Sequence, residues 1–135
     1  MSRTIAGACL CGAVSFEIVG EFHAFYLCHC SRCRKGSGSA HGANLFSATA
    51  KLNWLSGEDK VKSYHLPATR HQRNFCTVCG SGLPREVMQG AMLVVPAGSI
   101  DSAIDIRPTA HICCDSRAGW DADLETVPKI GELPG

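Results

Sequence analysis

The sequence predicts an all-β domain of short strands stapled by metal-binding cysteine knuckles, and three observations carry that expectation. Apolar residues alternate with polar ones in several short runs. Pro67, Pro84, Pro96 and Pro108 recur too often for long helices. Nine cysteines fall in tight bunches rather than spread along the chain. Taken in order, Val14, Phe16 and Ile18 alternate with Ser15, Glu17 and Val19, a half-buried strand after the Cys11-Gly12 turn. Residues 23–28 form a second, aromatic-rich run. Further strands are expected at 43–46, 51–55, 61–66, 72–75 and 83–88, separated by Gly, Pro or Ser-Gly punctuation. The continuous apolar run at 91–95 suits a buried strand. No stretch carries an apolar stripe of helical period, and at most a short turn follows Cys30. The tail from Ser116, with Trp120, is expected to be irregular and packed across the sheet.

At 135 residues the chain predicts one domain, 1–135, with a motif-bearing core at about 8–120. A hydrophobic fraction of 45% with 19% charged residues excludes a disordered chain. Thirteen basic against twelve acidic side chains give +1, which argues against nucleic-acid and membrane-surface partners. No apolar run approaches the roughly 20 residues needed to span a bilayer, and the N-terminus lacks the apolar core of a signal peptide. The expectation is a soluble, cytoplasmic domain.

The cysteines are Cys9, Cys11, Cys28, Cys30, Cys33, Cys76, Cys79, Cys113 and Cys114. An odd count at one- to three-residue spacing does not make a disulfide framework, whereas both thiolates of a Cys-x-Cys or Cys-x-x-Cys can point at one ion. Zinc is the expected metal, two ions per chain. Cys9, Cys11, Cys76 and Cys79 make two pairs, enough for a closed tetrahedral structural site. Cys28, Cys30 and Cys33 make three ligands and leave one position open, as catalytic zinc is held. A Cys₃His site with His29, or an exchange of pairs, fits the same count. The paired site closes a loop of about 65 residues, worth ~4 kcal/mol of chain entropy before any metal affinity is added. Cys113-Cys114 is left over.

Several motifs together resemble one family. Cys9-x-Cys11-Gly12, Leu27-Cys28-His29-Cys30-Ser31-x-Cys33-Arg34-Lys35, Gly38-Ser39-Ala40, Arg73-x-Phe75-Cys76-x-x-Cys79-Gly80-Ser81 and His111-Ile112 with Trp120 follow in order the pattern of the glutathione-dependent formaldehyde-activating enzymes, also called the CENP-V/GFA family. The resemblance implies a β-rich Mss4-like (β-tent) fold with two zinc ions, divided between the cysteines as above. It implies carbon–sulfur lyase chemistry, the condensation of formaldehyde with glutathione, so that a small-molecule thiol and an aldehyde are the expected partners. The chain departs from the pattern at Cys113-Cys114 and at Leu83-Pro84-Arg85, where an apolar or aromatic strand start is more usual.

A zinc ion on three thiolates carries a formal charge of −1, and a substrate thiolate would take the site to −2. Arg32, Arg34 and Lys35 sit in or just after the knuckle and are the expected compensating charges and contacts for an anionic thiol. The bland alternative is that they are solvated side chains. His29 is the expected proton shuttle to the developing alkoxide, its alternative being a hydrogen bond to backbone or ligand sulfur. His111 reads as structural. The rival to an enzyme is a zinc-stabilised binding module with both metals structural.

Overall fold

The computed structural model describes residues 3–135, which form three β-sheets, one α-helix and five short 3-10 turns. The first sheet joins β1 (Thr4–Ala8), β2 (Ser15–Val19) and β5 (Lys51–Ser56). The second runs in the order β11 (Ala110–Ile112), β3 (Ala24–Cys28), β4 (Gly42–Ser47), β10 (Met92–Pro96) and β9 (Arg85–Val87). The third joins β6 (Val61–His65), β7 (Gln72–Cys76) and β8 (Gly82–Leu83). The helix, α1 (Ser31–Ser37), links β3 to β4. None of the helices among the described residues is long and apolar enough to cross a membrane.

This architecture is mixed α/β and overturns the expected all-β, Mss4-like tent of antiparallel strands. None of the three sheets closes into a barrel, β11 runs parallel to β3, and a helix occupies the knuckle. The helix leaves no apolar stripe to read because none of its residues is buried. Its ends are fixed by capping instead. The Cys30 sulfur accepts from the Cys33 N–H at 3.4 Å, and Gly38 closes the last turn at φ +67° with its N–H on the Arg34 carbonyl.

The core lies where the sheets face one another. Val14, Phe16, Ile18, Leu45, Leu83 and Val95 are fully buried, each burial contributing about 1.5–3 kcal/mol for side chains of this size. β1 escapes sequence reading because Thr4-Ile5-Ala6-Gly7-Ala8 is short and small, yet Gly7 is required there. A Cβ on Gly7 would lie 2.3 Å from Phe16 Cζ and 2.5 Å from the Ser99 carbonyl oxygen, so β1 can cross Phe16 only as bare backbone. Trp54 packs edge-on to Phe16 at 6.0 Å. Trp120 does not pack across the sheet: it is 65% exposed, and its neighbour Asp121 is the residue that docks.

Candidate functional site

Two matching turns build the four-cysteine set. Gly12 N–H returns to the Cys9 carbonyl and Gly80 N–H to the Cys76 carbonyl, both glycines at φ +80°, a conformation L side chains rarely adopt. Backbone N–H groups of Val14 and Val78 donate to the sulfurs of Cys9 and Cys76. The Ser81 hydroxyl accepts from Leu10 N–H at 2.9 Å and meets Cys79 Sγ at 3.2 Å, pinning the turns together. That contact, followed by the Ser81 and Cys11 backbone, lowers the Cys79 thiol to about 5. A tetrahedral zinc with bonds of about 2.3 Å sets its sulfurs about 3.8 Å apart. Cys9–Cys11 at 3.6 Å and Cys11–Cys76 at 3.9 Å fit that spacing, and all four ligand atoms lie within 4.8 Å of one another.

The three-cysteine set gathers Cys28 from the end of β3, Cys30 from the helix cap and Cys33 from the first turn of α1, again within 4.8 Å of one another. Burial, then the neighbouring Cys28 and Cys30, push the Cys33 thiol well up; Cys28 is raised too, while hydrogen bonds lower Cys30. Three sulfurs this close cannot all ionise without a cation among them, which is the chemistry of a metal-ligand set. His29 belongs to neither set, closing the Cys₃His alternative. The leftover Cys113 follows β11, whose Ile112 pairs with Cys28, and it is not part of the set. Cys114 is exposed.

A cavity of about 790 Å³ touches both sets, its wall including Cys9, Leu10 and Ser81 as well as Cys33. Its cations are Arg73 on β7 and Arg85 on β9, with His71 beside them. Arg32, Arg34 and Lys35 are not in the wall. Arg34 is tied to the knuckle, its Nε donating to the His29 carbonyl at 3.3 Å, Lys35 is exposed, and Arg32 reaches the cavity only as a charge that bears on His71. Sequence reading missed Arg73 and Arg85 as site residues, although both lay in quoted motifs, Arg85 in the unusual Leu83-Pro84-Arg85. In the turn after Ser37 the N–H groups of Gly38 and Ser39 both bond the Arg34 carbonyl.

His29 is fully buried in a polar network away from this cavity. Its Nε2 lies 2.8 Å from His111 Nδ1, and its ring is 5.1 Å from that of His41. Asp121 Oδ2 is 3.4 Å from His29 Nδ1, close enough for charge attraction but not aligned for a hydrogen bond. Burial and then His41 lower the His29 imidazole, with Asp121 opposing, so it is neutral near pH 7. His111 is exposed and connects this network to solvent.

Fold and site together define a small mixed α/β protein with two cysteine sets able to hold metal ions and a cationic cavity that touches both. The sequence profile described as glutathione-dependent formaldehyde-activating enzyme matches residues 4–116, and the chain belongs to that family. The fold is similar to the crystal structure of a Rhodobacter sphaeroides protein determined by structural genomics, with a TM-score of 0.61 at 19% identity, over 78% of this chain and 98% of that one.

Proposed function

We propose that the chain is a zinc-dependent enzyme of carbon–sulfur bond chemistry that condenses formaldehyde, or another small aldehyde, with glutathione or a related thiol. The observation that carries this reading is the unequal ligand count: a complete four-cysteine set, and a three-cysteine set whose Cys33 opens on the cavity. Cys9, Cys11, Cys76 and Cys79 would hold a structural ion, and Cys28, Cys30 and Cys33 one with an open position. An ion held there acts as a Lewis acid that keeps an added thiol ionised at neutral pH. The thiolate sulfur attacks the aldehyde carbon, a C–S bond forms, the C=O π pair moves onto oxygen, and the proton lost by the thiol is returned to that oxygen. The sum is thiol plus aldehyde giving an S-hydroxymethyl thioether. Arg73 and Arg85 offset the added negative charge, with Arg32, Arg34 and Lys35 as an outer layer of the same sign. His29, neutral and joined to His111, is the proton reservoir beneath the knuckle, exchanging with solvent through His111.

The test is exchange NMR on ¹³C-formaldehyde and glutathione, wild type against Cys30→Ser. Acceleration of adduct formation by the wild type alone is expected; a wild-type rate equal to the uncatalysed one sinks the reading. One observation favours a second reading, a binding module with both metals structural: Cys113 directly follows Ile112, the strand partner of Cys28, and is the nearest further cysteine in the fold's pairing to supply a fourth ligand. In a cobalt-substituted protein, an absorption spectrum of four-thiolate type that changes in Cys113→Ser would decide for the module.

A further inference from the structure

Arginines inside a protein are almost always paired, because an unpartnered guanidinium loses hydration without recovering it. The ion pairs of arginine among the described residues engage Arg3 and Arg117, not Arg73 or Arg85. Yet both are half-buried, share one cavity, and lie close enough for each other's charge to matter; burial first, then Arg73, pushes the Arg85 guanidinium below the usual arginine range, while Cys33 pulls the other way. The wall's single carboxylate, Asp101, is in ion-pair contact with neither.

The placement of Arg73 is built rather than incidental. Its guanidinium stands 5.8 Å from the Phe75 ring centroid. Glycines flank it on two sides: a Cβ on Gly36 would come within 3.1 Å of Arg73 Cδ, and one on Gly82 within 3.6 Å of its Nη2. Gly36 belongs to α1, the helix that carries Cys33. The Arg73 side chain therefore packs against the helix that carries Cys33, and both residues line the one cavity.

We infer that Arg73 and Arg85 form a carboxylate subsite that grips the thiol substrate at a point remote from its sulfur and so selects which thiols reach Cys33. The inference rests on the thiol–aldehyde reading above and names the residues that set its specificity. Two guanidinium forks match the two oxygens of a carboxylate, and a cavity of about 790 Å³ accommodates a peptide-sized thiol. His71 lines the same wall as a neutral donor.

The test is calorimetric titration with S-methylglutathione, which has the carboxylates but no thiol to ionise, alongside glutathione diethyl ester. Wild type should bind S-methylglutathione, and Arg85→Gln should weaken that binding about tenfold or more, the loss of a charge-assisted hydrogen bond. Arg85→Lys should recover part of it, while Lys62→Gln, on an exposed strand of the third sheet, should change nothing. The diester should bind wild type at least about tenfold more weakly than glutathione. Equal binding of S-methylglutathione by wild type and Arg85→Gln, with both folded by circular dichroism, overturns the subsite; so does equal binding of the diester and glutathione. Competition by inorganic phosphate as strong as that of S-methylglutathione overturns its assignment to carboxylate. Retained S-methylglutathione binding without turnover leaves the subsite standing and fails the reaction instead.

Discussion

The two cysteine sets share their local chemistry and differ in what they join. Cys9–Cys11 and Cys76–Cys79 meet across a separation of 65 residues between Cys11 and Cys76, tying the strand β1 of the first sheet to β7 of the third. Cys28, Cys30 and Cys33 instead come from one continuous stretch whose ends are already held, by β3 pairing with β4 and by the capped helix. A metal on the first set would close the fold, and one on the second would sit on a stretch that strand pairing and helix capping already hold. The lesson is that ligand number and chain separation together sort structure from chemistry: a metal that bridges distant segments is coupled to folding, and one that sits on a local turn is free to be exposed.

The comparison breaks most visibly at Cys76, which is fully buried. Structural zinc sites carry apparent energies of ~10–16 kcal/mol, as large as the whole stability of a typical domain at about 5–15 kcal/mol. Cys76→Ser is expected to abolish the cooperative thermal transition seen by circular dichroism. A melt within a few degrees of wild type would show that the four-cysteine set does not hold the fold. The next largest effect is at Cys33. Cys33→Ser should lower Tm by only about 4 °C, a loss near 1 kcal/mol, while releasing one metal ion per chain by elemental analysis and removing adduct formation. If Cys33→Ser unfolds the domain as Cys76→Ser does, the two sets are not different in kind.

How much of this was legible depended on whether the determining contacts are local in sequence. Each cysteine knuckle could be read because it is a turn of a few residues whose thiols converge by local geometry, whereas which pairs join stayed open because Cys11 and Cys76 meet across 65 residues. The strands at 15–19, 24–28 and 92–96 could be read because alternation or continuous apolarity reports burial directly. The helix could not, since its seven residues bury nothing and its boundaries depend on a cysteine sulfur acting as the cap. Nor could β11, three residues whose only reason to be extended is the parallel partner β3. Arg73 and Arg85 sit on strands of different sheets, so the cavity that gives them meaning exists only once the sheets have packed. Of the charges adjacent to the knuckle in sequence, Arg34 bonds back to it at the His29 carbonyl and Lys35 is exposed, and neither lines the cavity.

A subtler probe separates the sets by pressing on one alone. Gly42 pairs with Cys28 across β3 and β4, and a Cβ there would lie 3.3 Å from Cys33 Cβ and 3.6 Å from its sulfur. Gly42→Ala should cost about 1 kcal/mol of overpacking. It should weaken metal retention by the three-cysteine set about tenfold, an effect of the size seen when ligand positioning is disturbed. Chelator competition should show one ion leaving earlier and the other unchanged. Parallel weakening of both would mean that strain spreads between the sets through β4 and the cavity wall.

The smallest effect concerns the ground between the sets and is one of pH. Burial, then the charges of Arg85, Arg32 and Arg73, hold the His71 imidazole below its usual 6.5. As pH falls below about 6.5 the unfolded chain takes up a proton that the folded cavity resists, so the unfolded state binds more protons and stability falls with pH. Above that range both states are neutral at this residue and it contributes no slope. His71→Asn should therefore lose less stability than wild type between pH 7.5 and pH 5.5 in urea titrations, with little difference at the upper end. A carboxylate seated on Arg73 and Arg85 cancels the positive charge that depresses the imidazole. With S-methylglutathione present, the wild-type slope should flatten toward that of His71→Asn. A slope that ignores the ligand would place His71 and the arginines in separate electrostatic environments, and the cavity would no longer act as one receptor between the two cysteine sets.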